Sequence, residues 1–179
     1  MRVLGIDPGT KNFGAFAGEV NKGVTKVNVH HSEMFDHAMQ ELKDNALEQV
    51  RVFEREYLKL LTVHRPDIIT IERFQSRGLK GKTVELVNVM MGVMMSANVK
   101  YVESNPKLKV QLLTASTWKN AVNRVSDLEL IYRVMKKHGV VAHRVDAALM
   151  SLYKISENPY GFLKVREQRN HFFRQMARM

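Results

Sequence analysis

The 179-residue sequence contains no cysteine. That absence excludes disulfide scaffolds, cysteine-ligated zinc sites and thiol nucleophiles, and it favours an intracellular protein. A long hydrophobic run is also lacking, since the most apolar stretch, residues 89–95, is far shorter than the roughly 20 residues of a membrane span. Asp7 follows too few apolar residues for a signal peptide. We therefore expect a soluble, cytoplasmic protein of a length typical of one compact domain.

Acidic residues are scarce, and they are unevenly placed. The chain has 28 lysines and arginines against 18 aspartates and glutamates, a formal charge of +10. Residues 1–72 carry 9 basic and 11 acidic residues, whereas residues 73–179 carry 19 and 7. Positive charge segregated in this way is typical of a surface that binds a polyanion, and nucleic acid is the first partner to consider. A solvated basic face that serves only solubility is the alternative.

The first half of the sequence has the pattern of a sheet with one long crossover. Three apolar segments, residues 2–7, 13–19 and 24–30, predict an antiparallel meander. Helical spacing of apolar residues from Asp36 to about Val63 predicts a long amphipathic helix. The β-branched run at residues 67–72 predicts a buried central strand, which a right-handed crossover makes parallel to the first strand.

The second half predicts a basic loop, one more strand and several helices. The loop at residues 73–82 holds four basic residues and no acid. The predicted strand spans 108–113, and the predicted helices span 83–104, a short segment after Thr114, Asp127 to Gly139, and a segment from about Val141. This order predicts an α/β fold with a mixed five-stranded sheet, its first three strands antiparallel and helices on both faces.

The helix predicted at residues 83–104 is apolar on nearly all sides, apart from a narrow polar stripe. A helix of this kind must be covered on more than one side. The sheet can cover one side and a second subunit the other, which favours a homodimer. A fully internal helix in a monomer is the alternative.

Three acidic residues and a histidine occupy positions where such a sheet gathers ligands. Asp7 and Glu72 each end an apolar strand, and because neighbouring strands lie about 4.8 Å apart, the two carboxylates are expected to meet at one edge. They repel each other unless a cation lies between them, and oxygen-rich sites suit Mg²⁺ or Mn²⁺. His143 and Asp146 share one face of a helix and could complete the metal site. Taken singly, each residue also has an ordinary explanation as a turn former, a strand-end charge or a solvated helix start.

Four segments resemble the motifs of the RuvC-type Holliday junction resolvases. Residues 5–14 (GIDPGTKNFG) resemble the opening signature of that family, and residues 69–72 (ITIE) resemble its second block. Residues 114–122 (TASTWKNAV) are similar to its lysine-bearing segment, and residues 143–148 (HRVDAA) resemble its final block.

The resemblance also suggests a division of the chain. It covers residues 1–157, which predicts a RuvC-like nuclease domain there and a basic C-terminal extension at residues 158–179. The extension has five basic residues, one glutamate and the aromatic residues Phe162, Phe172 and Phe173. It is open whether the extension folds as a helix or stays loose, and contact of its cations and rings with DNA is a hypothesis.

The resemblance implies a ribonuclease H-like fold, a homodimer, and Mg²⁺-dependent hydrolysis of symmetrically placed phosphodiesters in Holliday junctions, with Mn²⁺ as a substitute. Such an enzyme serves DNA recombination and repair and leaves 5′-phosphate and 3′-hydroxyl ends. Carried over by motif, the catalytic and metal-binding set is Asp7, Glu72, His143 and Asp146. The two-metal scheme would have Asp7 bridge both ions, Glu72 hold the ion near the leaving oxygen, and Asp146 with His143 hold the ion that activates water. His143 departs from the family's usual aspartate, which leaves its role and the preferred metal open.

The resemblance also implies DNA contacts. Phe74 is the counterpart of an aromatic residue that stacks at the opened junction, although its register is one residue off. The residues expected to neutralise backbone phosphates are Arg77, Lys80, Lys82, Lys119 and Arg124.

Other functions remain open at this stage. A phage-type member of the same family would cut branched DNA less selectively, including forks and Y-structures. Another ribonuclease H-like nuclease would use the same cluster on flaps or RNA–DNA hybrids, and a non-catalytic protein would bind branched DNA without cutting it. Half of a sugar or acetate kinase is excluded by the chain length, since no second lobe is present to close over ATP.

Overall fold

The protein is built on one mixed sheet. The computed structural model describes residues 1–9, 13–21, 26–35, 45–74 and 81–179, with side chains except at residues 33–35, 82 and 83. Five strands pair in the order β3-β2-β1-β4-β5. They span β1 Arg2–Asp7, β2 Phe13–Val20, β3 Val27–Phe35, β4 Ile68–Glu72 and β5 Lys109–Leu113. The first three strands are antiparallel and the last two are parallel to β1, which confirms the predicted sheet.

Helices cover both faces of this sheet. They span α1 Ala46–His64, α2 Lys82–Ser104, α3 Ala115–Asn123, α4 Leu128–Lys137, α5 Ala142–Leu152 and α6 Arg166–Arg178. Because successive side chains of a strand point to opposite faces, Leu4 and Ile6 of β1 join the apolar cluster under α1 and α2, and Val3 joins the cluster under α3 to α6. None of the helices in the described ranges is long and apolar enough to cross a membrane.

Two element boundaries differ from the sequence prediction. The third strand was predicted at residues 24–30, but β3 continues to Phe35 because it pairs with the whole of β2, past a register shift at Ala17/Gly18. The polar run at residues 30–33 conceals this continuation in the sequence. The predicted helix start at Asp36 lies outside the described residues; within them α1 begins at Ala46 and ends before Arg65, a left-handed cap residue that precedes Pro66.

The C-terminal segment packs on the sheet. A 3₁₀ turn at Gly161–Leu163 leads into α6, whose Phe172 and Met176 are buried in the cluster that also contains α5. The side chain of Gln175 accepts a hydrogen bond of 2.9 Å from the backbone N–H of Val29 in the edge strand β3. The loose alternative for this segment is therefore wrong from residue 161 onward, whereas the functional division of the chain at residue 157 stays a prediction.

Candidate active site

The two strand-end carboxylates lie side by side. β1 and β4 are parallel neighbours, with Ile6 opposite Ile71, so the next residues along the two strands are Asp7 and Glu72. Both line an open cleft of about 290 Å³ at the carboxyl edge of the sheet. The cleft is where an open α/β sheet binds ligands, as the sequence predicted.

Helix α5 reaches this cleft because two glycines let it approach the strands. A Cβ atom on Gly5 would lie 1.9 Å from the backbone oxygen of Ala147, and one on Gly14 would lie 2.5 Å from that of His143. Without those side chains, the first turn of α5 packs against the ends of β1 and β2. The Nδ1 atom of His143 lies 2.6 Å from Oδ2 of Asp7, so these two predicted site residues are in direct contact.

Asp146 is held by donors from two other helices. It is 7% exposed and faces inward from α5. Lys119 of α3 donates a hydrogen bond of 3.0 Å to its Oδ2, and the hydroxyl of Tyr132 on α4 donates to its Oδ1. These contacts fix both carboxylate oxygens of Asp146.

Glu72 is held from the same side of the sheet. The indole N–H of Trp118, a fully buried residue of α3, donates a hydrogen bond of 3.1 Å to its Oε2. Trp118 and Lys119 are consecutive, so the short helix α3 serves two carboxylates at once, Glu72 through the indole and Asp146 through the ammonium group.

The electrostatics of the cleft favour added positive charge. Burial, and next the negative charge of Asp7, raise the pKa of Glu72 above its usual value, against the hydrogen bond from Trp118. Burial also raises the pKa of Asp146, against its bonds to Tyr132 and Lys119. The hydrogen bond to Asp7 raises the pKa of His143, against the opposing effect of burial. Crowded carboxylates of this kind are stabilised by protons or by a cation.

The donor chemistry of the cleft fits a divalent metal ion. Three carboxylates and an imidazole surround or adjoin it, and hard cations such as Mg²⁺ prefer oxygen ligands. Within the described ranges, however, no three His, Asp or Glu side chains are oriented so that they could hold one ion together. Each carboxylate instead faces a protein donor: His143, Trp118, or the pair of Lys119 and Tyr132. The predicted metal-binding and catalytic roles of Asp7, Glu72, His143 and Asp146 therefore stay predictions.

The residues predicted to contact DNA are found in different situations. Phe74 and Lys119 line the cleft, and Arg124 is exposed at the end of α3. Lys82 begins α2, but its side chain is not described. Arg77 and Lys80 lie outside the described residues.

Sequence reasoning overlooked three residues of this site. Arg73 lines the cleft beside Glu72, and its place in the basic loop was a usable signal. Trp118 lies within the lysine-bearing segment at residues 114–122, but its own role was not predicted. Tyr132 has the spacing of an apolar helix position, so nothing in the sequence pointed to its contact with Asp146.

The fold and this cleft together define an α/β protein with an acidic site at the carboxyl edge of its mixed sheet. Solved structures place it more narrowly. The chain is similar to Thermus thermophilus RuvC in complex with a Holliday junction substrate, with a TM-score of 0.63, 20% identity, and 94% of this chain and 97% of that chain covered. It is also similar to another T. thermophilus RuvC structure, with a TM-score of 0.64, 22% identity, and coverage of 89% and 95%.

A eukaryotic structure has the same fold. The yeast mitochondrial Holliday junction resolvase Ydc2 matches with a TM-score of 0.57, 19% identity, and 96% of this chain and 82% of that chain covered. No protein-family profile matches the sequence. No curated protein sequence matches it either. The chain therefore has the RuvC fold, which confirms the fold that the motifs predicted.

Proposed function

We propose that this protein is a structure-selective, divalent-metal-dependent endonuclease that resolves Holliday junctions. The single observation that carries the proposal is the cleft itself. Asp7, Glu72 and His143 line it and Asp146 adjoins it, so residues from distant parts of the sequence meet at one edge of a RuvC fold. The similar RuvC structure holds a Holliday junction substrate, and the basic second half of the present chain suits the same class of ligand.

The residues of the cleft have distinct roles in this proposal. Asp7, Glu72, Asp146 and His143 would hold Mg²⁺, with Mn²⁺ as a substitute, and the bound ion would supply an activated water and neutralise charge on the phosphate. Lys119 lines the cleft and would neutralise a backbone phosphate. The hydrogen bond to Asp7 raises the pKa of His143, so without a bound ion this side chain would take up a proton more readily than an aspartate at the same position. Hydrolysis would leave 5′-phosphate and 3′-hydroxyl ends.

A homodimer and a cytoplasmic location belong to the same proposal. One side of α2 packs in the core, while Met95 and Val99 on its outer side are 36% and 63% exposed. A second copy of the chain would cover this outer side and pair two clefts about a two-fold axis, as symmetric cutting of a four-way junction requires. The lack of cysteine fits a reducing compartment.

The dimer can be tested by a charge on the outer side of α2. Met95→Glu should reduce the sedimenting mass to that of one chain and turn paired cuts into single nicks. Glu103→Gln, which changes an exposed charge near the end of the same helix, is the control. A wild-type protein that sediments as a monomer on DNA would contradict the dimer.

A non-catalytic junction-binding protein is the second candidate. It is favoured by one observation: each carboxylate of the cleft faces a protein donor, and no described trio of side chains is arranged around a common ion position. The two candidates predict the same binding and opposite outcomes in a cutting assay.

A panel of labelled DNAs separates these candidates. The purified protein is incubated with a synthetic four-way junction, a Y-structure, a flap, an RNA–DNA hybrid and a linear duplex, in Mg²⁺ and separately in Mn²⁺. The proposal expects paired cuts at symmetric positions in the junction and intact linear duplex. Cuts in Y-structures as well would widen the specificity to branched DNA in general. Tight junction binding without cutting in either metal would favour the binding protein.

A further inference from the structure

A groove between α4 and α6 lies outside the cleft and has its own chemistry. Its volume is about 420 Å³. Val134 and Phe173 are among the apolar residues that line it, and its polar lining is His138, Asn170, Arg174 and Arg178. No acidic residue is among the described residues that line it.

The cations of this groove come in two rows. On α6, Arg174 and Arg178 are four residues apart and therefore share a face of the helix. On α4, Arg133 and Lys137 are likewise four residues apart and share a face, one position before the groove-lining Val134 and His138. We call Arg133, Lys137, Arg174 and Arg178 the α4–α6 basic face.

These four side chains are available for a ligand. The charged ends of long basic side chains prefer water, and all four residues are exposed. Among the residues that the structure describes, none of the four takes part in an ion pair or a hydrogen bond through its side chain. Four unpaired cations, with no acidic residue among the described residues that line the groove, match a regularly spaced polyanion.

The basic face shares helix α4 with a residue that contacts the candidate active site. Tyr132 of α4 contacts Asp146 of the candidate active site, and Lys137 is five residues further along the same helix. At 1.5 Å per residue this is a rise of about 7.5 Å along the helix axis.

The aromatic residues of the C-terminal segment do not take part. Phe162, Phe172 and Phe173 are 2%, 1% and 8% exposed, so stacking on bases, part of the hypothesis drawn from the sequence, is wrong for them. The contribution of this segment is limited to its cations, which read phosphates and not bases.

We propose that the α4–α6 basic face binds the sugar-phosphate backbone of one duplex arm of a branched DNA. The proposal extends the function proposed above and rests on it for the identity of the ligand. It needs only DNA binding, so it can be tested whether or not the cleft cuts DNA.

The test compares two double variants of the full chain in equilibrium binding to a four-way junction without divalent metal. Arg174→Gln with Arg178→Gln removes two charges from the basic face. Arg51→Gln with Lys107→Gln removes two exposed charges from α1 and the α2–β5 connection, far from the groove. Each lost phosphate contact lowers the salt slope by about 0.9. The fold-loss of affinity between 50 and 200 mM salt should therefore be about ten times smaller in the first variant than in the wild type. The second variant should follow the wild type.

Footprinting shows which part of the junction the basic face contacts. Hydroxyl-radical protection of one arm should weaken in the Arg174/Arg178 variant, whereas protection at the branch point should persist. If that variant fails to fold, Arg133→Gln with Lys137→Gln tests the face from α4. A salt slope equal to that of the Arg51/Lys107 control, or an unchanged arm footprint, would overturn the proposal and leave an acidic protein surface as the occupant to examine. Absence of cutting by the wild type, together with the expected lower salt slope in the Arg174/Arg178 variant, would instead count against the proposed nuclease and not against this face.

Discussion

The two faces of the sheet have equally apolar interiors but serve different purposes. Under α1 and α2, side chains such as Tyr57, Met90 and Met94 pack on β1 and β4, and no described residue of these two helices lines the cleft. On the other face, α3 and α5 each send a polar side chain to a strand-end carboxylate, and α4 sends one to Asp146 of α5. One face therefore supports the strands, and the other builds the site.

The difference follows from how closely the helices approach. Helix α5 lies directly on β1, with Gly5 beneath Ala147, and its residues from Val145 to Leu152 are all buried. Helix α2 keeps an outer side open, where Gly92 faces empty space. Close contact fixes the positions of the cleft side chains, whereas an open apolar side suits association with another chain.

The largest expected difference between the two faces is in the stability of glycine variants. Gly5→Ala places a methyl group against the backbone of α5, which cannot move without leaving the sheet, so we expect a loss of more than about 4 kcal/mol in the free energy of unfolding. Gly92→Ala is the matched change on the other face and should stabilise the chain by roughly 0.5 to 1 kcal/mol, because its Cβ meets nothing. Urea denaturation measures both. Equal stabilities of the two variants would contradict the close approach of α5.

The role of α4 can be tested at the site itself. Tyr132→Phe keeps the ring and removes the hydrogen bond to Asp146, and bonds to charged groups contribute about 1.5 to 3 kcal/mol. We expect junction cutting to slow by roughly 10- to 100-fold, while junction binding stays unchanged. Tyr153→Phe, in a half-buried residue at the end of α5, is the control. Cutting at the wild-type rate in Tyr132→Phe would mean that the hydrogen bond from α4 to Asp146 has no part in the reaction.

The attachment of α6 should have a smaller effect. Gln175→Ala leaves the backbone N–H of Val29 in the edge strand without its partner, which should lower the free energy of unfolding by about 1 kcal/mol. Gln168→Ala on the same helix makes no comparable contact among the described residues and should cost less. Thermal denaturation can rank the two variants, and the reverse order would mean that α6 is not held through Gln175.

The smallest effect concerns pH at the end of α1. Burial, and next the charges of His31 and His30, lower the pKa of His64 below its usual value. The unfolded chain therefore binds more protons than the folded chain between that lowered pKa and about 6.5, so stability should fall as the pH drops through this window. Arg2 also faces this region, which adds positive charge. His64→Gln should flatten the pH dependence of the free energy of unfolding. His138→Gln, a change at an exposed histidine, is the control and should leave that dependence as in the wild type. If the pH dependence of unfolding is unchanged in His64→Gln, the effect comes from another titratable group.

Sequence patterns anticipated the parts of this molecule that depend on local periodicity. The parallel placement of β4 beside β1 follows from a helical crossover, and with it the meeting of Asp7 and Glu72. His143 was expected only as a residue that could complete the site, and the structure brings its Nδ1 atom into contact with Asp7. The Asp127 side chain caps α4 as predicted, accepting from the N–H groups of Glu129 and Leu130.

What the sequence did not reveal depends on tertiary contact. Tyr132 occupies a helix position that periodicity assigns to the core, and only the fold shows that its hydroxyl reaches Asp146. Gln175 is a polar residue on a basic helix, and its bond to the edge of β3 joins positions 146 residues apart. The aromatic residues of α6 resembled a DNA-stacking set, yet they fill the core because the helix docks on β3.

The most direct test of the account is the effect of Asp7→Asn on a four-way junction. Binding and single-turnover cutting in Mg²⁺ are measured side by side for the wild type and the variant. The account predicts paired cuts by the wild type, and a loss of at least about 1,000-fold in the variant, on the order of 4 kcal/mol, with binding retained. Cutting by Asp7→Asn at the wild-type rate would contradict the claim that this cleft performs the reaction.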